Sequence, residues 1–221
     1  MSGPRDLVII GAGGSAPELV DIVEAMNAVR PTFTLLGFLD DSPSKQGGSV
    51  GDLPVLGTTD MAAEMKDALF VLGIAHYRRP RCRADLAARL GLPHERFGTL
   101  IHPSANISNR ATLGSGIMAG SFAMISPGAT VGNHVFVAPY AHVSHDATAG
   151  DGATMAAGSM LCGGSKLGAG AYMGARSVLM DGVCVGDGAV VGIGAVVIRD
   201  VAPDAVVVGN PARPIVGRVR S

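Results

Sequence analysis

From Ala105 to Asp200 the chain repeats itself every six residues without a break in phase: ANISNR ATLGSG IMAGSF AMISPG ATVGNH VFVAPY AHVSHD ATAGDG ATMAAG SMLCGG SKLGAG AYMGAR SVLMDG VCVGDG AVVGIG AVVIRD. About sixteen such hexads follow one another. The third position is always apolar, the first is usually Ala or Ser, and the fourth is often Gly. Positions one and three lie on the same side of a strand because side chains alternate with a period of two. Each hexad therefore reads as a short strand pointing those two residues inward, followed by a turn. Three hexads close one triangular coil of about eighteen residues, and coils stack roughly 4.8 Å apart through strand hydrogen bonds. The expected object is a triangular prism with an interior too narrow for anything large at position one.

Composition agrees with that interior. The hydrophobic fraction is 48%, yet aromatic residues make up only 4%, and there are 32 glycines in 221 residues. Such a core must be filled by small and branched side chains. The pattern resembles the left-handed parallel β-helix of the hexapeptide-repeat acyltransferases. The left hand is implied by the resemblance alone, since strand crossovers otherwise prefer the right hand.

Residues 1–100 follow another rule. DLVIIGAGG reads as a buried strand running into a glycine loop, and APELVDIVEAMNAV spaces Leu19, Ile22, Val23 and Met26 as a helix does. FTLLGFLDD is a second strand ending in two acids, TTDMAAEMKDA a capped helix, LFVLGIA a third strand, and RPRCRADLAARLGL a helix closed by glycine. This alternation predicts a small parallel sheet with helices on both faces. The expected division is a Rossmann-like domain over 1–100, a β-helix over 101–203 and a C-terminal tail over 204–221.

The formal net charge of −1 gives no case for nucleic acid or an anionic membrane as partner. No stretch reaches the roughly 18 unbroken apolar residues of a membrane span, and the start is unlike a signal peptide. Three cysteines, Cys82, Cys162 and Cys184, stand in unrelated contexts. Reduced thiols and a cytoplasmic location are expected.

The hexad register places the most suggestive side chains. In AHVSHD, Ala141 and Val143 face inward, His142 faces outward in mid-strand, and Ser144, His145 and Asp146 make a corner. One coil further on, Gly163 stacks over His145. A zinc site would need three convergent imidazoles. Positions one and two coils before His145 are Pro127 and Asn109, those before His142 are Met124 and Asn106, and His134 on another corner is available only to a neighbouring subunit. No metal is expected. A general base fits better: acyl transfer from a thioester needs a proton removed from the attacking atom. A carboxylate beside an imidazole favours its protonated form, and a backbone N–H stabilises the oxyanion.

The Rossmann-like domain, GAGGSA, GFLDD, IHPSANIS, the HD pair and VVGNPARPI form an ordered set spanning essentially the whole chain. Together they resemble the sugar acetyltransferases of the bacillosamine, perosamine and sialic-acid type. The resemblance implies His145 as catalytic base, Asp146 as its acidic partner, and Gly163 as the amide beside the thioester carbonyl. It implies Ala175 and Ile193 as backbone contacts of the pantetheine arm of acetyl-CoA. It also implies a homotrimer with coenzyme A between two β-helices. Where some members carry a second histidine near acetyl-CoA, this chain has Thr154, a cofactor contact that cannot take up a proton near neutral pH.

GAGGSA between a strand and a helix has backbone N–H groups suited to phosphate. A dinucleotide would need a second mononucleotide half, for which about 100 residues leave no room. A nucleotide-sugar is therefore expected, with its diphosphate at Gly13, Gly14 and Ser15 and its base or ribose at Asp40 and Asp41. Gly73 and His76 are candidates for the same cleft. Family members often have histidine at position 15 and glycine at position 16, so the nucleotide stays open among UDP, GDP and dTDP. The reading is N-acetylation of a nucleotide-linked amino-deoxy sugar. Its rivals are a sugar O-acetyltransferase of the same fold and a non-catalytic nucleotide-sugar-binding trimer.

Overall fold

The computed structural model describes residues 3–215. Residues 1–2 and 216–221, which include the end of the expected tail, lie outside it. The N-terminal strands are β1 (Arg5–Ile10), β2 (Phe33–Leu39), β3 (Ser49–Val50), β4 (Leu53–Gly57) and β5 (Leu69–Leu72), ordered β3-β4-β2-β1-β5. All pairings are parallel except β3 with β4. Helix α1 (Ala16–Val29) buries Leu19, Ile22 and Val23 against one face. Helix α2 (Cys82–Leu90), ended by left-handed Gly91, buries Leu86 against the other.

Two local expectations change. TTDMAAEMKDA forms only a short 3-10 turn over Thr59–Ala63, because its leading segment is held by Asp41, which accepts bonds from both the N–H and the hydroxyl of Thr59. The sheet also gains β3 and β4 from SVGDLPVLG, where Pro54 and two glycines interrupt any readable alternation.

Beyond residue 100 the chain winds as a parallel β-helix whose register steps by eighteen residues as far as Val196 and by sixteen in the last coil, where Val185 meets Val201 and Val190 meets Val206. Asn106, Met124, His142, Met160, Val178 and Val196 lie in one row, as the hexad phase requires. Inside, Ala141, Val143, Ala147, Ala149, Ala153 and Met155 are all fully buried. The tail continues the prism: Val206–Val208 adds a parallel strand and Arg213–Pro214 an antiparallel one.

The prism's three faces differ. The docking face carries Met118, Phe136, Thr154, Tyr172 and Val190 outward, and the first of these pack with α1 and the β-sheet under the N-terminal domain. A polar face carries Thr112, Thr130, Thr148, Lys166 and Cys184. The third, apolar face presents Met124 and Met160 to solvent, flanked by the exposed Phe122, Tyr140, Met180 and Ile193.

A strap, residues 74–83, ties the domains together along one prism corner. Arg81 pairs with Asp204 at 2.9 Å and donates to the Asp187 carbonyl. The corner beneath it is glycine at 152 and 170, where a Cβ would fall 3.1 Å from Ala84 and Arg81 atoms respectively. Backbone conformation alone does not demand glycine here, since His134, Asp146 and Arg176 occupy equivalent corner positions at φ 56, 59 and 56. Room for the strap does.

Candidate active site

His145 and Asp146 stand on the corner between the apolar and polar faces, largely exposed, with Nδ1 3.0 Å from an Asp146 carboxylate oxygen. An ionised carboxylate can only accept, so Nδ1 is the donor, and in the neutral ring that leaves the lone pair on Nε2. Nε2 points at the next coil: a Cβ on Gly163 would lie 2.6 Å from it and 2.5 Å from Cε1. Gly163 is thus the residue that lets the ring occupy this place. Asp146 makes the fit from below, since a Cβ on Gly128 would collide with its carboxylate.

The fifth-position amides at this corner, like those of Ala157, Ala175 and Ile193 at the docking–apolar corner, have no acceptor among the described residues. At the strap corner, Asn133, Asp151 and Asp187 accept the N–H groups of Ser115, Asn133 and Ala169 one coil away. The Gly163 N–H has no such acceptor among the described residues. An imidazole with a free nitrogen and an unsatisfied backbone donor therefore meet on one exposed edge. His142, one strand earlier, is accounted for differently: Nε2 lies 2.9 Å from the Ser126 hydroxyl, and burial pushes its pKa down.

Gly13, Gly14, Ser15, Asp40, Asp41, Gly73 and His76 all line one cleft of about 950 Å³ between the domains. Gly13 and Gly14 open directly onto it, with nothing within 4 Å of where a side chain would sit. The Ser15 hydroxyl donates to the Gly73 carbonyl at 2.9 Å, joining the helix start to the end of β5. Gly73 must be glycine, because a Cβ would approach Ile9 to 2.8 Å.

The acids prove to have structural duties that their sequence position does not reveal. Asp40 accepts the Ala12 and Ser42 N–H groups and Lys45 Nζ, each within 2.9 Å. Burial works to raise its pKa, but the Lys45 bond and the two N–H bonds outweigh this and hold it below the usual range. Asp41 is bound by Thr59 and Arg89, and the balance is the same: burial raises, these bonds lower, and the net shift is down. Each carboxylate shapes the cleft, with most of its accepting capacity already used.

Thr154 also lies on the cleft wall, between Phe136 and Tyr172 one coil either way, rather than beside His145. Ala175 and Ile193 form a column at the docking–apolar corner, one and two coils above the cleft residue Ala157, and Ile193 is 83% exposed. None of His145, Asp146 and Gly163 lines the cleft. Within one chain, base and nucleotide cleft stand on different sides of the prism.

His134 differs most from expectation. It is buried beneath the N-terminal domain, edge-on to Phe97 at 4.4 Å, and so is not offered to a neighbouring subunit. Burial, then the nearby Arg83, pushes its pKa down to about 4. Sequence reasoning passed over Arg83 entirely, although it is the largest fully buried side chain among those described. Among the described residues, no group of three His, Cys, Asp or Glu side chains could hold a metal ion, and no helix is long and apolar enough to cross a membrane.

A small α/β domain joined to a parallel β-helix is the architecture this chain shares with known acetyltransferases. Residues 6–87 match the PglD N-terminal domain family. Over 114 residues the chain is 32% identical to UDP-N-acetylbacillosamine N-acetyltransferase of Bacillus subtilis (strain 168), a match covering 51% of this chain and 50% of that one. The acetyltransferase domain of PglB from Neisseria gonorrhoeae FA1090, solved in complex with acetyl coenzyme A, is 30% identical, with 96% of this chain and 100% of that one covered and a TM-score of 0.82. PerB from Caulobacter crescentus, solved with CoA and GDP-perosamine, is 25% identical, with 97% and 98% covered and a TM-score of 0.82. The chain belongs to the sugar acetyltransferase family of the bacillosamine and perosamine type.

Proposed function

We propose that this protein is an acetyl-CoA-dependent N-acetyltransferase acting on the amino group of a nucleotide-linked amino-deoxy sugar in the cytoplasm. The observation that carries the reading is the corner at His145: one nitrogen held by Asp146, the other free beneath an unsatisfied Gly163 amide. His145 Nε2 takes the proton that the attacking amine loses as its nitrogen bonds the acetyl carbon. Asp146 fixes the ring and balances the imidazolium that results. The Gly163 N–H donates to the thioester oxygen as negative charge develops there. Acetyl-CoA supplies the activated acyl group and departs as the thiol, to which His145 returns its proton.

Residues 1–100 would hold the nucleotide, with the free N–H groups of Gly13, Gly14 and Ser15 on the diphosphate and the remaining acceptor positions of Asp40 and Asp41 on ribose or base. Gly73 and His76 would shape the cleft. The β-helix over 101–203 would hold acetyl-CoA, its pantetheine arm along the backbone at Ala175 and Ile193. Thr154 on the cleft wall would contact the acetyl end, and no metal takes part.

Assembly is needed to join these parts, because cleft and base stand on different sides of one prism. The solvent-facing apolar row supports packing of three β-helices into a homotrimer, each bringing His145 to its neighbour's cleft edge. The coenzyme would then lie in the groove between two copies.

The test is thiol release from acetyl-CoA against UDP-, GDP- and dTDP-linked amino sugars. An acetylated product that survives mild alkali is expected. An alkali-labile ester would replace N- by O-transfer, and no release across the panel would overturn the reading.

A further inference from the structure

The cations on and behind the cleft do not share one fate. Lys45 is matched by Asp40 and Arg89 by Asp41, both at 2.8 Å, whereas Arg79 lines the cleft without an ion pair among the described residues. Arg83 is not matched. It is 2% exposed and spends its donors on three neutral carbonyls: Nε to Ile74 at 3.0 Å, and Nη1 to His134 at 3.0 Å and Ala153 at 3.2 Å. No carboxylate pairs with it among the described residues. Its place in the second residue of α2 adds to the problem, since the helix dipole is positive there.

Burial lowers its pKa to about 10, so the group keeps its charge at neutral pH. A buried cation hydrogen-bonded only to carbonyls is costly, because dipoles replace hydration incompletely and no opposite charge repays the loss. What surrounds it is the cleft. Ile74 and Cys82 on one side, and Phe136 and Tyr172 on the other, all line that space, and the guanidinium carbon sits 5.9 Å from the Phe136 ring centre. The Phe136 ring, which lines the cleft, thus lies beside the charge. Glu18 and Asp85 also face the cleft, but neither makes an ion pair with Arg83.

We propose that Arg83 is a substrate-selecting residue whose missing counter-ion is the diphosphate of the bound nucleotide, held across the wall formed by Ile74, Phe136 and Tyr172. This rests on the nucleotide-sugar reading of the cleft and adds to it. The glycine loop supplies contact hydrogen bonds, whereas Arg83 supplies through-wall charge that favours polyanions over neutral nucleosides of the same shape. Its three carbonyl bonds also fix Ile74 relative to the β-helix, making the charge part of the wall rather than a mobile rim group.

The experiment measures binding of UDP, GDP and dTDP, and of uridine, guanosine and thymidine, to the full-length protein by calorimetry and competition. Wild type is expected to bind at least one diphosphate; binding of none would refute the cleft reading itself. In Arg83→Met the diphosphate that wild type prefers should bind tenfold or more weakly, while its nucleoside changes less than threefold. Arg83→Lys, which retains charge without the planar fork, should keep diphosphate binding within about threefold of wild type. Equal losses for diphosphate and nucleoside in Arg83→Met would mark a purely structural strut and overturn the proposal, as would undiminished diphosphate binding in that variant. If Arg83→Met does not fold, Arg83→Gln, which keeps hydrogen-bond donors without the charge, decides between these outcomes by the same comparison.

Discussion

Replacing Gly163 by alanine isolates the geometry on which catalysis depends. The backbone at Gly163 is not in the left-handed region, so alanine meets no conformational penalty there. Its Cβ would lie 2.6 Å from His145 Nε2, whereas ordinary contact begins at 3.4 Å. The ring must retreat by about 0.8 Å, and it cannot do so freely while Nδ1 stays bonded to Asp146. Misplacement of a catalytic group by about 1 Å costs on the order of 100-fold in rate. Glycine-163→Ala is therefore expected to lower kcat about 100-fold in the thiol-release assay, with KM for both substrates little changed and Tm within a few degrees of wild type. Gly164→Ala is the matched control: at φ +64 it strains the turn by about 1 kcal/mol, but its Cβ would meet nothing within 4 Å, so kcat should hold. A Gly163→Ala enzyme with kcat within threefold of wild type would refute the assignment of His145 as a base aimed at that amide.

Other outcomes follow from the same structure. His145→Asn should lower kcat by about 100- to 10,000-fold without changing nucleotide affinity, measured by steady-state kinetics and calorimetry. Because burial holds the His134 pKa near 4 against 6.5 for a free imidazole, the unfolded chain binds the extra proton. Stability is then fully present above pH 6.5 and falls by about 3 kcal/mol as pH drops towards 4. His134→Asn, which tolerates φ 56, should flatten that part of a urea-midpoint titration. Gly152→Asn, a residue type that tolerates φ +67, should force the start of α2 off this corner at Ala84, costing about 1–3 kcal/mol and speeding proteolysis of the adjoining strap over residues 74–83. Met160→Asp on the apolar face should shift sedimentation towards monomer and abolish turnover while each isolated chain still binds nucleotide.

The prism was legible because its signal is strict. A small residue at position one and an apolar residue at position three recur in every coil, and the register they set places Gly163 over His145 and Ile193 over Ala175. The N-terminal domain was less legible. The alternation that marks β1, β2 and β5 is broken in SVGDLPVLG, and the helical spacing of TTDMAAEMKDA loses to capture of Thr59 by Asp41. The pattern also could not say which prism face the first domain would cover. Phe136 and Tyr172 on one face and Met124 and Met160 on another are equally apolar, and only docking separates them. For that reason the burial of His134, the uncompensated Arg83 and the separation of cleft from base were invisible. Nothing local foretold that Ala12, Lys45, Thr59 and Arg89 would already bond Asp40 and Asp41, the acids expected at the ribose or base.

The eighteen-residue register that holds from Leu100 to Val196 has a consequence for length variation in such chains. A gain or loss of a full circuit moves everything beyond it along the axis by roughly 4.8 Å and leaves each side chain on its original edge. A single added hexad instead swings the remainder by a third of a circuit. Placed before residue 141, it would carry His145 onto an edge where the strap lies or where the cleft opens. Indels near the catalytic corner should therefore be accepted in whole circuits, and a shortened or lengthened relative should differ by that quantum rather than by arbitrary amounts.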